Sequence, residues 1–187
     1  MKRRYFPAAD RWTIERASAL DERHLQALGE WDVVYSWGVL HHTGDMWRAM
    51  AHVDRLVTPG GRLFIALYND QGLKSRIWRA IKRTYNLLPP LMRPAFVVAV
   101  MGPREALVAA VELARLRPMA YLRRWTNYKR SRGMSRWHDL VDWVGGYPFE
   151  VARPDDVFRF YRERGFRLLE LDTRTSGCNE YVLTRAS

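Results

Sequence analysis

A mixed α/β fold built on a parallel sheet is what the sequence predicts, and three features of it carry that expectation. Residues 31–36 and 62–68 are short apolar runs of strand length, the first with the β-branched pair Val33 and Val34 between Gly29 and Gly38. Between them, residues 45–57 place Met46, Ala49, Met50, Val53, Leu56 and Val57 at three- and four-residue spacing, the period of an amphipathic helix. Near the other end, residues 166–171 and 180–184 read as two strands of an antiparallel hairpin joined by residues 173–179. Two buried strands joined by a helix make a right-handed βαβ unit, so ligands belong at the carboxyl ends of its strands.

Taken in order, residues 2–10 read as the tail of a helix and a loop, and residues 11–18 alternate enough to be a strand. A short helix follows over residues 22–28. The strand at 31–36 reads as buried on both faces, Thr43 or Asp45 suits the cap of the next helix, and Pro59, Gly60 and Gly61 end it. Leu73, Ile77, Ala80, Ile81, Tyr85 and Leu88 form a helical stripe flanked by Lys74, Arg76, Lys82 and Arg83, closed by Pro89 and Pro90. An apolar run at 94–101 closes on Gly102 and Pro103, a further helix spans 104–116, and residues 121–132 are aromatic and basic. Ser135 suits the cap of a short helix that ends at Gly145, Gly146 and Pro148. Pro154, Asp155 and Asp156 open a last helix, with Val157, Phe158 and Tyr161 on its apolar face and Gly165 as its stop.

A chain of 187 residues with 48% hydrophobic content holds one real core, which argues against disorder. One cysteine, Cys178, excludes an internal disulfide framework and a cysteine metal cluster, and fits a reducing cytoplasm. No run approaches the roughly 18 apolar residues of a membrane span, and no secretory signal is read. The net charge of +11 is local: residues 1–70 hold 9 basic and 9 acidic side chains, residues 71–136 hold 15 and 2, and residues 137–187 hold 7 and 9. Such a basic block is a solvated helical surface or a binding surface for an anionic partner.

The set Asp-Val-Val-Tyr-Ser-Trp-Gly-Val-Leu-His-His at 32–42, a helix, Pro-Gly-Gly at 59–61 and Arg-Leu-Phe-Ile-Ala-Leu-Tyr at 62–68 resembles the fourth and fifth strands of class I S-adenosylmethionine-dependent methyltransferases. The ubiquinone-biosynthesis type of small-molecule methylase is the nearest in look. The resemblance implies a partial Rossmann-like sheet, third to seventh strands, with residues 1–70 and 137–187 as core. Residues 71–136 would be an all-helical insertion after the fifth strand, serving as lid and substrate pocket. The family's glycine-rich loop and the acidic strand end that holds the ribose are not found, since no Gly-x-Gly occurs. The chain therefore reads as beginning after much of the cofactor-binding half, which leaves a central strand with an unpaired edge.

The resemblance also implies the cofactor S-adenosylmethionine and a small-molecule acceptor, lipid-linked or quinone-like, methylated on oxygen or carbon. Ser18, Ala19, Leu20 and Asp21 would meet the adenine, and Ser36, Trp37 and Gly38 would border the adenine or methionine part. Tyr68, Asn69, Asp142 and Tyr147 would line the acceptor pocket, with His42 and His138 as bases and His41 packed under the loop. For His138, Asp139 or Asp142 could orient the imidazole, or the segment could simply be a cap with surface pairing. No metal is expected, because His41 and His42 are adjacent and match no zinc pattern. The competing function is a non-catalytic basic module that binds RNA or an anionic membrane surface. Tyr121, Arg123, Arg124, Trp125, Tyr128, Lys129 and Arg130 would stack bases and hold phosphates, or lie at the periphery of a membrane. No RNA-binding signature accompanies them, so nucleic acid is the less favoured partner.

Overall fold

The computed structural model describes residues 13–173 and 177–186, which fall into two compact units. The expected helix tail at 2–10 and part of the 173–179 connection lie outside the described residues. The first unit takes residues 1–68 and 152–187 and the second residues 69–151, so the helix after Ser135, assigned to the core from sequence, packs with the helical unit.

In the first unit a short helix α1 (Glu22–Ala27) precedes strand β1 (Trp31–Trp37), a 3-10 turn (Leu40–His42), helix α2 (Met46–Asp54) and strand β2 (Val57–Tyr68). After the helical unit the chain returns as helix α8 (Pro154–Glu163) and strands β3 (Phe166–Asp172) and β4 (Cys178–Arg185). The sheet order is β1-β2-β4-β3, with β1 parallel to β2 and the other pairs antiparallel. Two parallel strands with an antiparallel edge are what the sequence predicts for the fourth to seventh strands. The strand expected at 11–18 is not formed: residues 13–18 are irregular, and no described strand lies beside β1 to offer them a ladder.

Asp45 caps α2, its carboxylate accepting from the Arg48 N–H. The helix stops at Asp54, earlier than the Pro-Gly-Gly signal predicts, and those three residues lie inside β2. The register jumps from Trp31↔Val57 to Val33↔Arg62, so Pro-Gly-Gly forms a bulge in the ladder. Gly60 takes a left-handed φ of 78°, and a Cβ on Gly61 would stand 2.7 Å from Thr58 Oγ1, which is why glycines occupy this bulge.

Alternate side chains of β1 and β2 divide cleanly between two faces. Leu63, Ile65 and Leu67 with Tyr181 and Leu183 face Met46, Ala49, Met50 and Val53 of α2 and Val157 and Tyr161 of α8, forming the core. On the opposite face Val33, Tyr35 and Trp37 are 60%, 69% and 53% exposed. Thus β1 is not buried on both faces, because no described element covers that side. Phe158, expected on the inner face of α8, is partly exposed, and Phe160 packs against the core instead.

The second unit is all-helical: α3 (Leu73–Leu87), α4 (Arg93–Ala114), α5 (Pro118–Thr126), α6 (Tyr128–Arg132) and α7 (Arg136–Gly145). Its core joins Val97 and Met101 of α4 to Leu140 and Val144 of α7, with Trp78, Ile81 and Tyr85 of α3 against them. The stripe expected on α3 is rotated: Leu73 and Ile77 are exposed, while Ser75 and Lys82 are buried. Pro103 does not divide α4, which is continuous through it. Proline removes the bond to the Ala99 carbonyl, and both residues are exposed. No helix among the described residues is long and apolar enough to cross a membrane.

Helix α4 ends in a hydrogen-bonded turn that usually requires glycine. Arg117 N–H donates to Glu112 O at 2.8 Å and Leu116 N–H to Leu113 O at 2.9 Å, with Leu116 itself at φ 56°. A leucine in the left-handed region is strained by its Cβ. Leu116→Gly is expected to raise the stability of the helical unit by about 1 kcal/mol; a melting temperature lower than that of the wild type would contradict this reading of the turn.

Candidate active site

At the carboxyl end of the parallel pair, β1 gives way to Gly38, whose φ of 74° turns the chain while its N–H still donates to Ala66 O at 3.2 Å. Trp37 presents its ring on the open face and Ser36 points the other way, half-buried. The 3-10 turn then buries Leu40 and His41 and leaves His42 partly accessible. Thr43 Oγ1 donates to Leu40 O at 2.8 Å and holds the turn closed.

Both histidines meet Tyr68 at the end of β2. The His41 ring lies 3.9 Å from the Tyr68 ring and 4.6 Å from His42, and His42 stands edge-on to Tyr68 at 5.4 Å. His41 Nδ1 accepts from the Tyr68 N–H at 3.3 Å, which places the proton of a neutral ring on Nε2. The Tyr68 carbonyl accepts from Ala152 N–H at 2.9 Å, so the strand end is fixed from two directions. The expectation that His41 packs under the loop matches its 1% exposure.

The turn at residues 18–21 is held by its own polar groups. Ser18 Oγ accepts from Leu20 N–H at 3.2 Å, and the Asp21 carboxylate accepts from His24 N–H at 3.1 Å as the cap of α1. Ala19 and Leu20 pack against the core, and Ala19 O lies 3.2 Å from Nδ1 of His52, a histidine that is 5% exposed. His52 Nε2 stands 3.8 Å from Glu22, which also pairs with Arg55, so α2 anchors this turn. Sequence reasoning passed over His52, although its place among Ala49 and Val53 on the inner side of α2 was the available signal.

The remaining candidates, Asn69, His138, Asp142 and Tyr147, belong to the helical unit. His138 Nδ1 lies 2.6 Å from Ser135 Oγ, the cap of α7, whose oxygen also accepts the His138 N–H at 3.3 Å. Asp139 does not orient that imidazole. It is buried and accepts from Tyr128 Oη at 2.8 Å and Arg136 Nη1 at 3.1 Å. Asp142 faces Lys82, a lysine 2% exposed whose ammonium donates to Trp143 O beside the Trp78 and Phe149 rings. Burial pulls that amine down to about 8 against the opposing pull of Asp142. Tyr147 is 46% exposed and Asn69 half-buried. Among the described residues no group of three or more His, Cys, Asp or Glu side chains could hold a metal ion.

Comparison with known proteins adds a sequence match and a likeness of fold. Residues 2–63 match the family described as "Methyltransferase domain". No curated protein matches the chain. Among solved structures, PKMT2 from Rickettsia typhi in complex with AdoHcy is 10% identical, with 90% of this chain and 38% of that one covered and a TM-score of 0.50. An O-methyltransferase family protein from Burkholderia thailandensis is 15% identical over 94% of this chain and 36% of its own, at a TM-score of 0.47. Magnesium protoporphyrin IX methyltransferase from Synechocystis PCC 6803 with bound SAH is 13% identical over 84% and 46%, at 0.39. The chain therefore spans about a third to a half of the length of these proteins. The match over residues 2–63 and the strand order support the resemblance to class I methyltransferases; neither singles out the ubiquinone-biosynthesis type.

Proposed function

We propose that this chain, whose first third is that of a methyltransferase domain, serves S-adenosylmethionine-dependent methyl transfer to a small-molecule acceptor. The observation that carries the reading is the cluster of His41, His42 and Tyr68 beside Trp37 and Gly38, at the strand ends where ligands of parallel sheets bind. As a test of fit, a Cβ on Gly38 would meet nothing within 4 Å, so the turn after β1 leaves open space next to the exposed Trp37 ring. Trp37 and Gly38 thus fit one wall of a cofactor site. Ser18 Oγ is engaged within the turn and one carboxylate oxygen of Asp21 in the cap of α1, while Ala19 and Leu20 offer apolar surface.

When bound, S-adenosylmethionine supplies an electrophilic methyl group. His42 takes the proton of an acceptor hydroxyl, and Tyr68 supports its ring edge-on. His41 acts beneath them as a positioning residue, buried and tied to the Tyr68 N–H. Tyr68 and Asn69 border the acceptor, whose chemistry is a hydroxyl or activated carbon. The base role is given to His42 rather than His138, because the Nδ1 of His138 is engaged by Ser135; His138, Asp142 and Tyr147 belong to the helical unit.

Calorimetric titration with S-adenosylmethionine and with its demethylated product tests the cofactor. Micromolar binding by the chain is expected, and no binding by the folded chain removes the reading. With labelled methyl donor and a pool of small hydroxyl-bearing metabolites, His42→Ala is expected to lower incorporation by about a hundredfold at unchanged cofactor affinity. Equal incorporation by wild type and variant would take the base role away from His42.

A further inference from the structure

The outer side of α4 is largely apolar, with the exposed Arg104 at its edge. Glu105, 7% exposed, bonds to the buried Arg136 and fixes which side of the helix turns inward. Opposite it, Ala99, Pro103, Ala106 and Ala110 run between Leu107 and Leu113, which are 65% and 63% exposed. The face ends at Leu116, 89% exposed in its strained left-handed turn, with Arg115 and Arg117 on either side of it. Arg93 stands at the other end.

The same unit carries an uncompensated cationic cleft. Arg123, Arg124 and Arg130 line it together with Asn127, Tyr128 and Ser131. The two acids of residues 71–136 are both occupied, Glu105 by Arg104 and Arg136 and Glu112 by Arg115 at 3.8 Å. Guanidinium groups with the Asn127 amide in one cleft suit a phosphate-bearing headgroup.

We propose that the outer face of α4, with Leu116 at its tip and the Arg123–Arg124–Arg130 cleft, docks on an anionic phospholipid surface. Charge selects this occupant: a second copy would set one arginine-rich rim against another, whereas an anionic bilayer neutralises the arginines and buries the leucines. A nucleic acid would satisfy the cleft but leave Leu107, Leu113 and Leu116 in water. Snorkelling arginines beside an inserted leucine are the usual interfacial arrangement. The proposal does not depend on methyl transfer.

The test is co-sedimentation of the full chain with vesicles of phosphatidylcholine alone and of phosphatidylcholine mixed with phosphatidylserine, at low and high salt. Binding is expected only to the mixed vesicles and should weaken as salt screens the headgroups. Leu116→Gly, which relieves backbone strain, should reduce partition about tenfold while melting no lower than wild type, so misfolding cannot explain the loss. Each of Arg123→Gln and Arg130→Gln should reduce it about fivefold. Equal binding to neutral vesicles, or no response to Leu116→Gly, overturns the proposal. So does self-association abolished by Leu107→Asp without vesicles, or tight binding of polyuridine that Arg123→Gln and Arg130→Gln weaken and Leu116→Gly leaves unchanged.

Discussion

Replacing Arg136 by alanine is expected to destabilise the helical unit by about 3–5 kcal/mol, because it strips the cation from two buried carboxylates. Arg136 is 5% exposed and bonds Glu105 of α4, Asp139 of its own helix and Tyr128 Oη of α6, with its guanidinium 5.0 Å over the Tyr128 ring. Removing it leaves Glu105 with the exposed Arg104 and Asp139 with the exposed Arg132 as remaining cations. Three helices lose their common partner at once. Apolar replacement of the whole group, Arg136→Leu with Glu105→Leu and Asp139→Asn, should recover most of the loss, since buried ion pairs add little over well-packed apolar residues. Amide exchange along α7 measures both effects. A loss of protection below about 1 kcal/mol for the single variant would show that the network is not a buried ion pair in solution.

Lys82 should make stability depend on alkaline pH. Its amine is held at about 8 by burial, against 10.5 for a free lysine, so between these values the unfolded chain binds more protons than the folded one. Stability therefore rises with pH across that window and gains about 3 kcal/mol from this group, while below pH 8 the full cost of burying the cation is present. Cys178, raised to about 11 by burial, acts with the opposite sign. The quantity to measure is thus the difference between wild type and Lys82→Met in urea unfolding from pH 7 to 10.5. A difference that does not change with pH would mean that the amine is hydrated in solution. The aromatic rings of Trp78 and Phe149 and the Trp143 carbonyl face this amine, and Asp142 is the acid that opposes its deprotonation.

The strand, helix and strand of residues 31–68 were legible because period and length agreed there, and Asp45 and Ser135 were legible as caps because each accepts a backbone N–H three residues on. Pro-Gly-Gly misled because those residues commonly end helices, whereas here they widen a ladder whose partner register no local signal encodes. The row of Val33, Tyr35 and Trp37 has the composition of a covered strand, and exposure is a property of what packs on it rather than of the strand itself. Pro103 within α4 and Lys82 on the inner side of α3 run against local preference, and tertiary packing decides both. At the site, the adjacent His41 and His42 were visible as a pair, but only the fold could separate a buried positioning ring from an accessible one.

The first unit is discontinuous, and its central strand waits for its second neighbour. β2 finds β1 within the preceding residues, but its pairing with β4 joins positions as distant as Arg62 and Thr184. As the chain leaves the ribosome, all of residues 69–151 must emerge before that edge closes. The helical unit, rich in local contacts, would complete itself during this interval, while the nascent sheet carries an open edge and depends on delay or chaperoning to avoid wrong partners.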